Sequence, residues 1–179
     1  EKAKEYLATA LSELGCTVDD LSAHLSIDCG DSPTSIAEAS FYQEQWRQVL
    51  GIEVAVNSMI TKQGSQNRKT GNYVMSVTGW GPDYNDPNTF LDIWVTDGGN
   101  NQTGFSNERY DELIDLAAKE TDLEKRESYF IECEQIIADQ LPIGPSYWRA
   151  PSYACSDKIK GGMHRSTFQD INAVYVKLS

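Results

Sequence analysis

The chain has 179 residues and a formal net charge of −12, a length that suits one domain burying roughly 70% of its unfolded surface. That acidity argues against nucleic acid or an anionic membrane as the main partner, because either would repel the chain. The four cysteines (Cys16, Cys29, Cys133, Cys155) allow three fully paired disulfide patterns or free thiols, and neither their spacing nor the isolated His24 and His164 matches a zinc ligand set.

Glu1 to Leu14 reads as an amphipathic helix: Ala3, Tyr6, Leu7, Ala10, Leu11 and Leu14 share one face, and Gly15 is a natural stop. Ala23 to Cys29 is predicted as a short strand with Leu25 and Ile27 on one side. Asp31, Ser32 and Pro33 signal a helix start, and Ile36, Ala39, Gln43, Trp46 and Leu50 carry that helix to Gly51. Ile52 to Val56 alternates as a second strand. This β-α-β order with a crossover helix predicts a parallel strand pair. Thr61 to Lys69 is a weaker, polar helix ending near Gly71, and Arg68 beside Lys69 reads in the first instance as a solvated helix-end arginine.

The stretch from Val74 to Val95 opens as a strand, with Tyr73, Met75 and Val77 alternating against Val74, Ser76 and Thr78. Gly79-Trp80-Gly81-Pro82 breaks it and turns the chain. Asp83, Tyr84, Asn85 and Asp86 follow, and Pro87 suits the first turn of a short helix, Asn88 to Val95, with Asp86 as its N-cap. An indole, a phenol and a carboxylate thus crowd a turn just past a strand end, where ligands of α/β sheets usually sit. The purely structural alternative makes Trp80 a core residue, Asp83 a turn former and Asp86 a cap.

Asp97 to Gly104 is a polar loop, too rich in Gly and Asn to pack; Asn101-Gln102-Thr103 is formally a glycosylation sequon, with no function attached. Ser106 or Asn107 caps a helix from Glu108 to Lys119 with Tyr110, Leu113, Ile114 and Ala117 as its buried stripe. Asp122 starts another, Leu123 to Gln140, with Phe130, Cys133, Ile137 and Leu141 inward; Cys133 fits a buried free thiol, and Glu124-Lys125-Arg126-Glu127 a solvated face. Leu141 to Pro145 ends that helix and leads into a predicted strand, Ser146 to Arg149. Ile171 to Leu178 alternates as a last strand. The chain begins at Glu1 with no signal peptide, no lipobox cysteine and no apolar run near 18 residues, so any export signal is expected upstream.

The segment Gly79-Trp80-Gly81-Pro82-Asp83-Tyr84-Asn85-Asp86-Pro87-Asn88-Thr89-Phe90-Leu91 resembles the G-W-x-x-D-Y-x-x-P-x-x-F-L segment of the bacterial oligopeptide- and dipeptide-binding proteins, the extracytoplasmic solute receptors of ABC importers. The opening Glu1-Lys2-Ala3-Lys4 helix, the Tyr110-Asp111 helix and the helix after it resemble the family in order and spacing. The resemblance covers essentially all 179 residues, but only the C-terminal lobe of such a receptor. The chain therefore reads as a fragment, a single lobe over 1–179 whose final strand, 171–178, is expected to reach toward the other lobe and to stand as an edge without its usual neighbours.

The resemblance implies an α/β fold, a mixed β-sheet flanked by helices, as one lobe of a periplasmic-binding-protein-like type II fold. It implies that Asp83 pairs with the α-amino group of a bound peptide, that Trp80 and Tyr84 wall the site, and that Gly81 belongs to the same ligand-binding turn. Arg68 matches an arginine that reaches the peptide carboxylate in some relatives. A second such arginine falls at Val77 here, a departure that tells against short peptides with a salt-bridged C-terminus. Arg149 stands where an aromatic residue often lines the cleft; it is expected to face a peptide carboxylate or an acidic side chain, or simply solvent. The implied partners are short peptides and a cognate membrane permease, with no nucleic acid, no cofactor and no metal, for a monomer in the periplasm or lipid-anchored at the outer face of the membrane. Two alternatives stand beside this. One is a same-fold receptor for a metal chelate, haem, sugar or opine, although keeping Asp83 favours peptide. The other is a hydrolase built on Asp83, Asp86 and Asp92; no Ser-His-Asp order, P-loop or H-E-x-x-H motif accompanies them, so the chain is expected not to be an enzyme.

Overall fold

Helix α1 (Lys2–Leu14) ends where Gly15 takes up φ +63°, a left-handed conformation that costs glycine nothing. In this computed structural model, which describes residues 1–149, 154–161, 164–165, 171–172 and 177–178, the chain divides into two compact units, Glu1–Gly79 and Trp80–Ser179. Of the predicted apolar face of α1, Leu7 packs on the core, whereas Tyr6 and Leu14 remain exposed. A short helix α2 (Val18–Ser22) occupies the approach to the first strand. Thr17 and Asp20 close a capping box on it, each side chain accepting from the other's backbone N–H at 2.9 and 3.2 Å. The strand itself, β1 (Ser26–Gly30), therefore starts later than the apolar pattern from Ala23 suggests.

The predicted crossover is present. Helix α3 (Pro33–Leu50) starts on Ser32, whose hydroxyl accepts from the Ser35 N–H at 3.2 Å, and stops at Gly51 with φ +72°. It returns the chain to β2 (Ala55–Met59), which pairs with β1 in parallel from Ser26↔Ala55 to Gly30↔Met59. The strand runs three residues later than the predicted Ile52 to Val56. Ile52 and Val54 are buried as expected, but side chains satisfy the backbone there: Gln43 Nε2 donates to the Val54 carbonyl at 2.6 Å and the Glu53 N–H donates to Ser22 Oγ at 2.9 Å. Helix α4 (Thr61–Thr70) closes on Gly71, and the two-residue strand β3 (Met75–Ser76) pairs in parallel with the other edge of β1. The order is β2-β1-β3, with Val77 extending the last ladder by an N–H to the Asp28 carbonyl at 2.8 Å. The core of this unit is Ile27, Cys29, Ala39, Ile52 and Val54.

The second unit is built on helix α5 (Asn88–Leu91) with the 3₁₀ turn Asp92–Trp94, helix α6 (Glu108–Lys119) and helix α7 (Leu123–Gln140). Asn107 and Asp122 cap the two long helices, accepting the N–H of Tyr110 and Lys125, each at 3.0 Å. The predicted α6 stripe of Tyr110, Leu113, Ile114 and Ala117 is buried and meets Phe130, Cys133 and Ile137 of α7. Leu141 is not inward: it caps α7 at φ +48° and is exposed. Tyr110 has no exposed surface and donates its phenol O–H to the Leu91 carbonyl at 2.7 Å, tying α6 to α5. The loop after Trp94 does pack, contrary to its composition. Asn101 Nδ2 lies within 3.2 Å of the Trp94 carbonyl, 3.0 Å of that of Val95 and 2.8 Å of that of Phe105, gathering the loop around one amide.

Ser146 to Arg149 form no strand. A strand exists only through a ladder partner, and among the described residues none pairs with this segment, which follows two prolines and a glycine. Near the C-terminus, β4 (Ile159–Lys160) pairs antiparallel with β7 (Lys177–Leu178), and β5 (His164–Arg165) with β6 (Ile171–Asn172). Both ends of the predicted 171–178 strand thus find neighbours; its residues 173–176 lie outside the described residues. All four cysteines are free thiols.

Candidate functional site

Trp80, Gly81, Asp83 and Tyr84 stand in one irregular turn at the start of the second unit. Trp80 is 42% and Tyr84 41% exposed, so neither is a core residue, and their apolar rings flank Asp83 in sequence as open surface. The Asp83 carboxylate is exposed and, among the described residues, no ion pair or hydrogen bond reaches it. Its backbone is held: the Asp83 N–H donates to Thr89 Oγ1 at 3.0 Å, and Thr89 is only 2% exposed. A Cβ added to Gly81 would meet nothing within 4 Å, so packing within this chain does not demand a glycine there.

Asp86 anchors the far side of the turn. Its Oδ1 accepts the Asn88 N–H at 2.9 Å, a cap-like bond, although Pro87 is the residue immediately preceding the helix. Both its oxygens take the Arg126 guanidinium, at 2.7 Å (Oδ2) and 2.9 Å (Oδ1). Arg126 also donates Nε–H to the Ala117 carbonyl at 3.0 Å and stands over the Phe130 ring, 4.6 Å from its centre. It is therefore not part of a solvated face, as its charged neighbours suggested; it occupies the inward stripe with Phe130, Cys133 and Ile137. The guanidinium holds the Asp86 carboxyl below its ordinary value, against the opposing effect of burial.

Asn88 Nδ2 donates to Tyr84 Oη at 2.9 Å and to Asp92 Oδ2 at 3.1 Å, and the Tyr84 phenol donates to the same Asp92 oxygen at 3.2 Å. Burial pushes the Tyr84 phenol up, Asn88 opposes this, and the Asp92 carboxylate adds to it. The three carboxylates of the turn are thus unequal: Asp86 is neutralised by Arg126, Asp92 is occupied by an amide and a phenol, and Asp83 is open. That inequality does not suit a two-carboxylate hydrolytic pair, in which both groups must face one bond. It suits the capture of a cationic group by Asp83.

Arg68 lies in the last turn of α4, in the first unit. It is half-buried, with Nη1 3.4 Å from Ser76 Oγ, so the solvated helix-end reading does not describe it. Arg149 is exposed, in the irregular segment after α7. Thr89, Asn88 and Arg126 are the members sequence reasoning passed over. For Arg126 a signal existed, since positions 126, 130, 133 and 137 share one helix face.

Residues 1–102 match the family described as bacterial extracellular solute-binding proteins, family 5 middle. The chain is 34% identical over 167 residues to the oligopeptide-binding protein OppA of Bacillus subtilis, covering 89% of this chain and 29% of that protein. It is 32% identical over 182 residues to the dipeptide-binding protein of Lactococcus lactis, covering 98% and 32%. The solved structure of Listeria monocytogenes OppA bound to peptide superposes with a TM-score of 0.82 at 30% identity, over 99% of this chain and 33% of that one. The fold is accordingly α/β, of the type II periplasmic-binding-protein class, and the relatives are solute-binding proteins rather than enzymes. This chain spans 29% and 32% of the length of the two curated relatives.

Proposed function

The chain belongs to family 5 of the bacterial extracellular solute-binding proteins, and from that premise we propose that it serves the substrate-binding component of an ABC importer, with the α-amino group of a short peptide held on Asp83. The observation that carries this reading is the open Asp83 carboxylate in a turn pinned by Thr89 and by the Asp86–Arg126 pair. A peptide ammonium gives up water on binding, and a fixed carboxylate offsets that cost most effectively where flanking rings exclude water. Trp80 and Tyr84 are the rings for that task.

In the same proposal, residues 1–179 form the C-terminal lobe of a two-lobed receptor, with strand 171–178 toward the other lobe and the ligand enclosed by hinge closure. Gly81 lets the backbone of the turn approach the peptide. Arg149, exposed in the same unit as Asp83, faces the ligand's carboxylate or acidic side chains in this proposal. The receptor works outside the cytoplasm, free or lipid-anchored, as a monomer that delivers peptide to a membrane permease. It acts by binding, without catalysis.

The test uses the full-length receptor, exposed to a mixed peptide pool and its N-acetylated counterpart, with retained species identified by mass spectrometry. Free-amine peptides are expected to be retained, and to be lost on acetylation and in Asp83→Asn. Retention indifferent to both changes would overturn the Asp83 assignment; retention of no peptide would overturn the peptide reading in favour of another solute.

A further inference from the structure

Asp28 stands mid-way along β1, the central strand of a parallel sheet, where an aliphatic side chain is the ordinary occupant. Its neighbours Ile27 and Cys29 are core residues; Asp28 is just as buried, at 5% exposure. Yet its side chain lines an open cleft of about 450 Å³, together with Ser26, Asn57, Asn67, Asn72 and Tyr73. Oδ1 accepts from Asn57 Nδ2 at 3.1 Å and Oδ2 from Asn67 Nδ2 at 3.3 Å. Among the described residues, these two neutral amides are its hydrogen-bond partners and no ion pair reaches it. A carboxylate offers about four lone-pair sites, so about half its accepting capacity remains. A buried anion with only neutral partners costs far more than one matched by a cation.

We propose that this cleft is a binding site for a compact organic cation, a primary ammonium on an alkyl stem. Asp28 supplies the charge, the Asn57 amide oxygen and the Ser26 hydroxyl supply further acceptors, and Asn67 holds the carboxylate in place. Asn67 is itself fixed, since its Oδ1 accepts from Gln63 Nε2 at 2.8 Å. One carboxylate is too few for a hard divalent metal, which gathers six or more oxygens, several of them charged. An ammonium needs three acceptors, which this lining offers. The inference does not rest on Asp83 or on the peptide reading.

The experiment is an NMR titration of the full, ¹⁵N-labelled chain with n-butylammonium, with the neutral n-butanol, and with a peptide blocked at both ends that carries one lysine. The side-chain amide signals of Asn57 and Asn67 are expected to shift saturably with at least one charged probe and not with butanol, and Asp28→Asn is expected to weaken that binding at least tenfold. Whichever charged probe binds more tightly separates a free amine from a peptide side chain. Equal responses to butanol and the charged probes, no saturable response to either charged probe, or undiminished binding by Asp28→Asn overturns the proposal. If Asp28→Asn does not fold, the charged-against-neutral comparison on the unaltered chain decides alone.

Discussion

Arg126→Met tests what holds the Asp83 turn in shape. Methionine keeps an aliphatic stem against Phe130 but removes two hydrogen bonds to Asp86, at 2.7 and 2.9 Å, and one to the Ala117 carbonyl at 3.0 Å. The side chains of Arg126 and Asp86 are 23% and 28% exposed, so water partly replaces what is lost. With charge-assisted bonds contributing about 1.5–3 kcal/mol each and this degree of wetting, the loss for the second unit is about 2–3 kcal/mol. That corresponds to roughly a 30- to 150-fold fall in hydrogen-exchange protection of the α6 and α7 amides at neutral pH. The sign of the pH dependence follows from Asp86. Its folded-state carboxyl lies below the ordinary 3.8, so the pair contributes fully above that value and is lost as pH falls through the depressed one. The gap between the native chain and Arg126→Met should therefore narrow in acid to what the Ala117 bond alone contributes. A double-mutant cycle with Asp86→Asn that returned a coupling under about 0.3 kcal/mol would refute the argument, as would a gap that persists unchanged after Asp86 is protonated.

Tyr110→Phe removes the buried O–H to the Leu91 carbonyl and should cost about 1–2 kcal/mol in urea unfolding, since a fully buried hydrogen bond tying α6 to α5 is lost; a negligible loss would show that this tie does not stabilise the unit. Leu113→Ala, at a fully buried position between α6 and α7, should cost about 3 kcal/mol in the same assay, and a loss under about 1 would mean that the core collapses to fill the gap. Glu120 should titrate at about 2 by NMR, because Lys125 hydrogen-bonds its carboxylate; Lys125→Met should return it toward 4.5, and an ordinary value in the unaltered chain would exclude that pair in solution. Burial pushes the Cys133 thiol up to about 11, so a thiol reagent should modify exposed Cys155 rapidly and Cys133 only at the rate of unfolding.

What was legible in the sequence was mostly local. Ser32-Pro33, Asn107 and Asp122 mark helix starts, and Gly15, Gly51 and Gly71 mark stops, because each acts on backbone groups within a turn of itself. Strand ends depend on partners far along the chain and were less visible. Nothing near Ile52 reveals that Gln43 would take the Val54 carbonyl and delay β2 to Ala55. The turn from Trp80 to Tyr84 stood out because its residues resemble a long, aromatic-rich motif. Its supports did not. Arg126 sits among Glu124, Lys125 and Glu127, and that company suggested solvent, while its partner Asp86 lies 40 positions away. Asp28 escaped notice altogether, since a single acidic residue in a five-residue strand carries no periodic signal.

The gathering of the 97–104 loop around Asn101 has a practical consequence for making this protein. Asn101-Gln102-Thr103 is an acceptor for N-linked sugar, which would be attached at Asn101 Nδ2. That nitrogen is the one that faces the carbonyls of Trp94, Val95 and Phe105. Glycan and closed loop are mutually exclusive. A eukaryotic secretory host, which adds the sugar as the chain emerges, would prop the loop open before it could form. Nor is the sequon removed without cost by changing its third residue to alanine, because the Thr103 hydroxyl donates to Asn101 Oδ1 at 2.9 Å. Bacterial expression, with no such modification, avoids the conflict.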